Sequence, residues 1–187
     1  MKALPTRSLG VDAMEPMQNR NSKSFQSAGY ARKNLIEGSQ YLTLRLGEED
    51  YAIDILRVQE IRSYEVPTRM VSAPDFIKGV INLRGVIVPI VDLRLKLNIE
   101  SVAYNEFTVV IILNVRGTVL GAVVDAVSDV VTLALDAIKP APQFEAAVDA
   151  RFITGLASVG NRMLIVINMD ALMSNAEMGL VASIPQV

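Results

Sequence analysis

The chain has 187 residues, a formal net charge of −2, and an apolar content of 51% to which aromatics contribute little, being 5% of the chain. It contains neither Cys nor His, which excludes disulfides, thiolate nucleophiles, imidazole acid–base catalysis, phosphohistidine chemistry within this chain, and zinc held by either residue. There is no basic surplus of the kind nucleic-acid binders carry, so no nucleic acid is expected as a partner. An aliphatic core is implied, and Val, Ile and Leu favour strands. The N-terminus has no continuous apolar core of a secretory signal. The longest apolar run, Val109–Leu113, is far short of the roughly 18 residues that span a membrane. A soluble, intracellular protein with no direct membrane insertion is expected.

Residues 1–38, rich in Ser, Asn, Gln, Arg and Lys, show no sustained period and read as a disordered arm. Their six Lys/Arg against three Asp/Glu leave a second reading, a basic arm that touches a membrane or an acidic partner. Tyr41–Leu46 alternates, with Leu42, Leu44 and Leu46 on one face and Thr43 and Arg45 opposite, a half-buried strand. Gly47–Asp50 is a polar turn, and Tyr51–Ile55 returns as a second strand. Val58–Ile61 is a short segment between Arg57 and Arg62, and residues 63–75, with Pro67 and Pro74, form a loop.

The stretch Phe76–Leu97 organises the rest. Its apolar runs Gly79–Leu83 and Val86–Val91 are broken only by Arg84-Gly85, which is turn chemistry, so a β-hairpin with Arg84 at its tip is expected. Asp92 can N-cap a helical turn over Leu93–Leu97. Ser101–Glu106 is a linker, and Phe107–Val115 reads as a strand buried on both faces. Arg116-Gly117 repeats the turn, Thr118–Val124 returns, and Asp125–Leu135 is β-branched enough to extend the sheet. Lys139–Asp149, with Pro140 and Pro142, is a loop or a short helix. Phe152–Val159 and Met163–Ile167 form another hairpin around Gly160-Asn161. Asn168 or Asp170 starts a C-terminal helix through Met178, closed by Gly179, and residues 179–187 are a flexible tail.

Two alignments of the chain with itself point to a duplication. Gly79 set on Gly155 superposes strand on strand, turn on turn and Asp92 on Asn168, with numbers that differ by 76. Tyr51–Ile61 set on Leu120–Val130 differs by 69 and places Val58 on Val127, Glu60 on Asp129 and Ile61 on Val130. Each copy holds four or five short strands, the size of a small closed barrel, in which closure removes exposed edges.

Few constellations suggest chemistry. Asp125 and Asp129, in a strand, would share a face about 13 Å apart, too far to share a proton, and solvated edge charges are the plainer reading. The segment Gly117–Gly121 is no nucleotide loop, because no helix follows it, and G-x-x-x-x-G-K is absent. A small β-barrel enzyme or ligand-binding domain working through carboxylates remains the alternative. Arg84 is either an ordinary turn residue or a cation presented for docking, and it can pair with Glu60 if their segments are neighbours. Val58, Ile61, Val109 and Val127 suit either core or contact surface.

The segments VQEIR (58–62), FIKGVINLRGVIVPIVDLR (76–94), GAVVDAVSDV (121–130) and GLASVGNRMLIVINMDAL (155–172) closely resemble the CheW family of bacterial chemotaxis coupling proteins, from about Tyr41 to Met178. The resemblance implies an all-β fold of two SH3-like five-stranded β-barrels, duplicated, with short helices and a C-terminal helix, over residues 39–178. The subdomains are expected at about 41–104 and 105–178, with strand exchange at their boundary left open. It also implies a non-enzymatic, cytoplasmic adaptor, without cofactor or metal, that bridges the tips of chemoreceptors to the histidine kinase CheA in a membrane-associated array. The same fold occurs as the regulatory domain of CheA and the N-terminal domain of CheV. The absence here of an ATP-binding motif and of room for a receiver domain favours a free-standing coupling protein. By residue, the resemblance assigns Val58, Glu60, Gly79, Arg84 and Val109 to receptor binding and kinase control. Val127 and Val130 fall near the receptor groove, and Lys139 and Phe144 in the region that meets the kinase's regulatory domain. Residues 1–38 lie outside the resemblance.

Overall fold

A computed structural model describes residues 38–99, 103–141 and 150–173. The expected arm, Phe144, the helix beyond Met173 and the tail lie outside the described residues.

The strands are β1 (Ser39–Leu46), β2 (Glu49–Asp54), β3 (Val58–Ser63), β4 (Ile77–Leu83), β5 (Val86–Asp92), β6 (Val109–Val115), β7 (Thr118–Val124), β8 (Ala126–Leu133), β9 (Ile153–Val159) and β10 (Arg162–Ile167). Two single-turn helices, α1 (Leu93–Lys96) and α2 (Met169–Leu172), follow β5 and β10. Each is capped as the sequence proposes: Asp92 accepts from the Arg94 amide and Asn168 from the Ala171 amide. The strands form two sheets of five, ordered β3-β6-β7-β5-β4 in the first barrel and β8-β1-β2-β10-β9 in the second.

The duplication is explicit in the pairing. In each barrel one pair is parallel, β5 with β7 and β10 with β2, and the other pairs are antiparallel. The parallel register Ile90↔Gly121 becomes Val166↔Ala52 when the two sequence offsets are applied. Bulges recur too, between Ile77 and Gly79 on β4 and between Ile153 and Gly155 on β9; such bulges add the twist that lets a small sheet curl shut.

The barrels are not the chain segments 41–104 and 105–178. The β1–β2 hairpin of the first repeat completes the second barrel, and β6–β7 of the second repeat complete the first. The connections explain the exchange. Only the short helical turn Ile55–Arg57 joins β2 to β3, and Asp125 alone joins β7 to β8. Neither link reverses the chain, so each carries it onward into the other sheet.

Alternation within the strands then distributes the core. On β6, Val110 and Ile112 fill the first barrel, while Ile111, Leu113 and Val115 face a cluster between the sheets. Leu42, Leu44 and Leu46 of β1 join that same cluster, as do Tyr51, Ile53, Leu120, Val124 and Leu172. Ala52, Leu133, Leu164 and Val166 fill the second barrel. At roughly 1.5–3 kcal/mol for each fully buried aliphatic side chain, the junction is as large a source of cohesion as either interior. Thr43 departs from the half-buried pattern expected of β1. It is itself buried, because its hydroxyl takes the Asp129 amide opposite the β8 bulge.

Closure is made by one short antiparallel bridge per barrel, Thr68↔Val80 and Lys139↔Leu156. Both bring a backbone carbonyl against a glycine: a Cβ on Gly79 would lie 2.0 Å from the Thr68 oxygen, and one on Gly155 2.4 Å from the Lys139 oxygen. Gly79 also sits at φ 138, where side chains are strained.

Candidate functional site

The expected hairpin tip is present. Arg84 and Gly85 have φ 52 and 90, the paired left-handed conformation of a two-residue turn. Asn82, the polar residue inside an otherwise apolar run, accepts the Gly85 amide at 2.7 Å. The turn at Arg116-Gly117 is built alike, with Asn114 accepting the Gly117 amide at 2.9 Å. The pattern N-x-R-G is therefore a turn signal in both places.

Glu60 and Arg84 do pair. The Arg84 Nη2 donates to Glu60 Oε2 at 2.7 Å, and Arg62 Nη1 stands 3.7 Å from Oε1. Glu60 is on β3 and Arg84 on the β4–β5 turn, so the pair spans the two edges that closure brings together. The Arg84 side chain is 78% exposed and that of Glu60 24%, so the cation is presented to solvent and the carboxylate anchors it. The corresponding tip residue of the second barrel is Gly160, which carries no cation. Instead, Arg162 at the start of β10 reaches Asp129 at 3.0 Å. Asp129 also accepts from the buried Thr43 hydroxyl; this bond, then Arg162, holds its carboxyl below the usual range against partial desolvation.

The apolar candidates gather elsewhere. Val58, Val109 and Val127 are half-buried, and all three pack against the cluster between the sheets. Ile61 pairs with Ile111, and Val130 with Leu42, both partners facing that cluster. Cross-strand partners point to the same side of a sheet, so Ile61 and Val130 continue the junction face outward, where they are 44% and 48% exposed. Val58, Val109, Val127 and Val130 thus border the cluster between the sheets, as its apolar rim. Glu60 and Arg84 mark a charged site at the first barrel's closing edge. Gly79 contributes backbone space to closure and no surface. Lys139 is exposed while its backbone is held at Leu156, on the second barrel.

The two carboxylates weighed as an acid–base pair have other roles. Asp125 is not on a strand and is not a solvated edge charge. It accepts from Arg94 Nη1 at 2.5 Å and from the Gly47 amide at 2.7 Å, and its own amide donates to the Arg45 carbonyl. Arg94 is fully buried and also binds Asp92, donating from Nε at 3.0 Å and from Nη2 at 2.8 Å. Burial alone would lower its pKa, but two carboxylates outweigh that and raise it, so the guanidinium stays charged inside the protein. Tyr104 completes the group. It stacks on Tyr64 at 4.7 Å, lies over the Arg94 guanidinium, and donates to Asp92 at 2.8 Å. Burial and that carboxylate push its phenol above the ordinary range. Sequence reasoning passed over Arg94 and Tyr104. The available signal was a cation one place inside a short helix that an apolar strand buries.

Two open clefts, one beside Arg69, Asp75 and Lys78 and the other beside Tyr41, Asp54, Arg57 and Asp170, include neither Asp125 nor Asp129. Among the described residues no group of three or more acidic, His or Cys side chains could hold a metal ion, and no helix is long and apolar enough to cross a membrane.

Comparison with known proteins gives the family. Residues 40–177 match the model of the CheW-like domain. A chemotaxis protein CheW of Klebsiella aerogenes is 52% identical over 147 residues, covering 79% of this chain and 89% of that protein. The CheW of Bacillus subtilis is 32% identical over 136 residues, covering 73% and 87%. The crystal structure of the scaffolding protein TtCheW from Thermoanaerobacter tengcongensis superposes with a TM-score of 0.69 at 31% identity, covering 75% of this chain and 90% of that one. In sequence and fold alike, the chain belongs to the CheW family of chemotaxis scaffolding proteins.

Proposed function

We propose that this protein couples the cytoplasmic tips of chemoreceptors to the regulatory domain of the histidine kinase CheA, without catalysis or cofactor, in the cytoplasm at membrane-associated arrays. The observation that carries the reading is the apolar rim to which both barrels contribute. Val58 and Val109 come from one barrel, Val127 and Val130 from the other, and Ile61 and Val130 extend it into solvent. A helical receptor tip that lays an apolar stripe along such a rim would contact both barrels at once, which is how a groove reads an amphipathic helix. Glu60 and Arg84 then control the kinase from the closing edge of the first barrel, and Gly79 holds that edge shut. Lys139, on the second barrel, and Phe144 supply the kinase contact.

Arg84 gives the cleanest test. An exposed ion pair contributes at most about 1 kcal/mol, so Arg84→Ala should fold with a melting temperature within a few degrees of wild type. With receptor-containing membranes and CheA, it should still co-sediment yet fail to support receptor control of the kinase. Wild-type kinase control by a folded Arg84→Ala protein would remove Arg84 from the site. Val58→Lys combined with Val130→Lys should abolish co-sedimentation with a receptor tip alone; retained binding would place the receptor site elsewhere.

A further inference from the structure

The chain crosses between the barrels twice, and the two crossings are held by ion pairs of opposite polarity. At the β7–β8 crossing the acid is on the crossing and the base on the helix: Asp125 binds Arg94 of α1. At the β2–β3 crossing the order is reversed, and Arg57 binds Asp170 of α2 at 2.5 Å. The repeat sets Arg94 on Asp170, and Arg57 falls one place beyond the position of Asp125. The pairs are therefore the two copies of one device with their charges exchanged.

They are not equally firm. The Asp125 crossing is a single residue, tied through its backbone to Arg45, through one carboxylate oxygen to Gly47, and through the other to a buried guanidinium. The Ile55–Arg57 crossing buries no residue fully, and Leu56 on it is 87% exposed. Among the described residues its polar anchors are the Asp54 cap on the Leu56 amide, the Val58 amide on the Ile55 carbonyl, and the Arg57–Asp170 pair. Both members of that pair are partly exposed, and the second oxygen of Asp170 is buried without a hydrogen-bond partner. Val58, on the apolar rim, is the next residue in the chain.

We infer that Arg57 and Asp170 are positioning residues. Their ion pair fixes the angle at which β3 leaves the second barrel, and so the place of Val58 on the rim, with the Asp125 crossing as the immobile side. This rests on the proposed receptor role of the rim only for its functional consequence.

The geometric part is measured without receptor. The chain has no cysteine, so Gln59→Cys on β3 and Thr132→Cys on β8, both exposed, accept spin labels specifically. Pulsed electron paramagnetic resonance should give one narrow distance in this background. Arg57→Asp should broaden it or shift it by more than about 2 Å, and the exchange Arg57→Asp with Asp170→Arg should restore it. In coupling assays, Arg57→Asp should reduce receptor-stimulated kinase activity fivefold or more at unchanged melting temperature, and the double exchange should recover it to within twofold. Should Arg57→Asp not fold, Arg57→Gln serves in its place, with the same direction and a smaller shift. An unchanged distance in a folded single variant, or no restoration in the double exchange, overturns the inference. A changed distance with unchanged coupling would retain the positioning role and instead remove the rim from receptor docking.

Discussion

The two barrels share one topology but solve the same mechanical problems with different side chains. In the first, the cation that spans the closing edges sits at the hairpin tip, on Arg84; in the second the tip is Gly160 and the cation sits two residues later, on Arg162 at the start of β10. Behind α1 a buried guanidinium is gripped by two carboxylates, whereas behind α2 a single part-exposed pair does the corresponding work. Duplication evidently preserves the contact and leaves the identity of its members free. The first barrel has put its rigidity into buried charge, and the second keeps a looser, wetter version.

The sharpest way to break this comparison is to remove the charged helix residue from each copy's pair, Arg94 of α1 and Asp170 of α2. Arg94→Ala leaves Asp92 buried and unpaired, a change that costs roughly 3–5 kcal/mol, while Asp170→Ala on the matching site should cost at most about 1 kcal/mol. Urea unfolding of the two variants measures the gap, and equal losses would mean that the junction is symmetric after all. Next in size is closure. Gly79→Ala should cost roughly 3 kcal/mol, because it adds a strained backbone conformation to a collision with the Thr68 carbonyl. Gly155→Ala should cost less, since only the collision applies. The reverse ranking would show that closure matters more in the second barrel.

The smallest effect is a pH dependence confined to the second barrel. Thr43 and Arg162 lower the folded-state pKa of Asp129. Its contribution is therefore complete above the unfolded value near 4 and is lost as pH falls below it. Thr43→Val should flatten the fall of stability between about pH 4 and pH 2, as followed by thermal melts across that range. An unaltered slope would assign the acid sensitivity to other carboxylates.

Much of this was legible in the sequence, for reasons that can be named. Strands showed because apolar runs of five to seven residues end at Arg-Gly or Gly-Asn, and the caps showed because Asp92 and Asn168 precede short helices. The repeat revealed itself because strand, turn and cap recur in order. Strand exchange could only be left open, since a repeat gives the number of copies and not which hairpin completes which barrel. That choice is made by the links Ile55–Arg57 and Asp125, whose brevity matters only once the sheets exist. Asp125 was misread as a surface charge because its partners, Gly47 and Arg94, lie far from it in the chain. Arg162 was overlooked because a strict alignment of tips looks for its cation at Gly160.

Strand exchange has a further consequence, for the order in which the protein can be made. Strands β1 and β2 leave the ribosome before the other described strands, yet β1 pairs with β8, where Ser39 meets Leu133, and β2 with β10, where Asp50 meets Leu164. The first barrel is complete in sequence once β7 has emerged at Val124, but the second must wait for Ile167. At bacterial rates of elongation the opening hairpin therefore spends on the order of ten seconds without its partners. Throughout that interval the Leu42, Leu44 and Leu46 face has to be sheltered by the nascent first barrel or by a chaperone. These long-range pairings raise the contact order, and they make the earliest of the described strands wait for the latest.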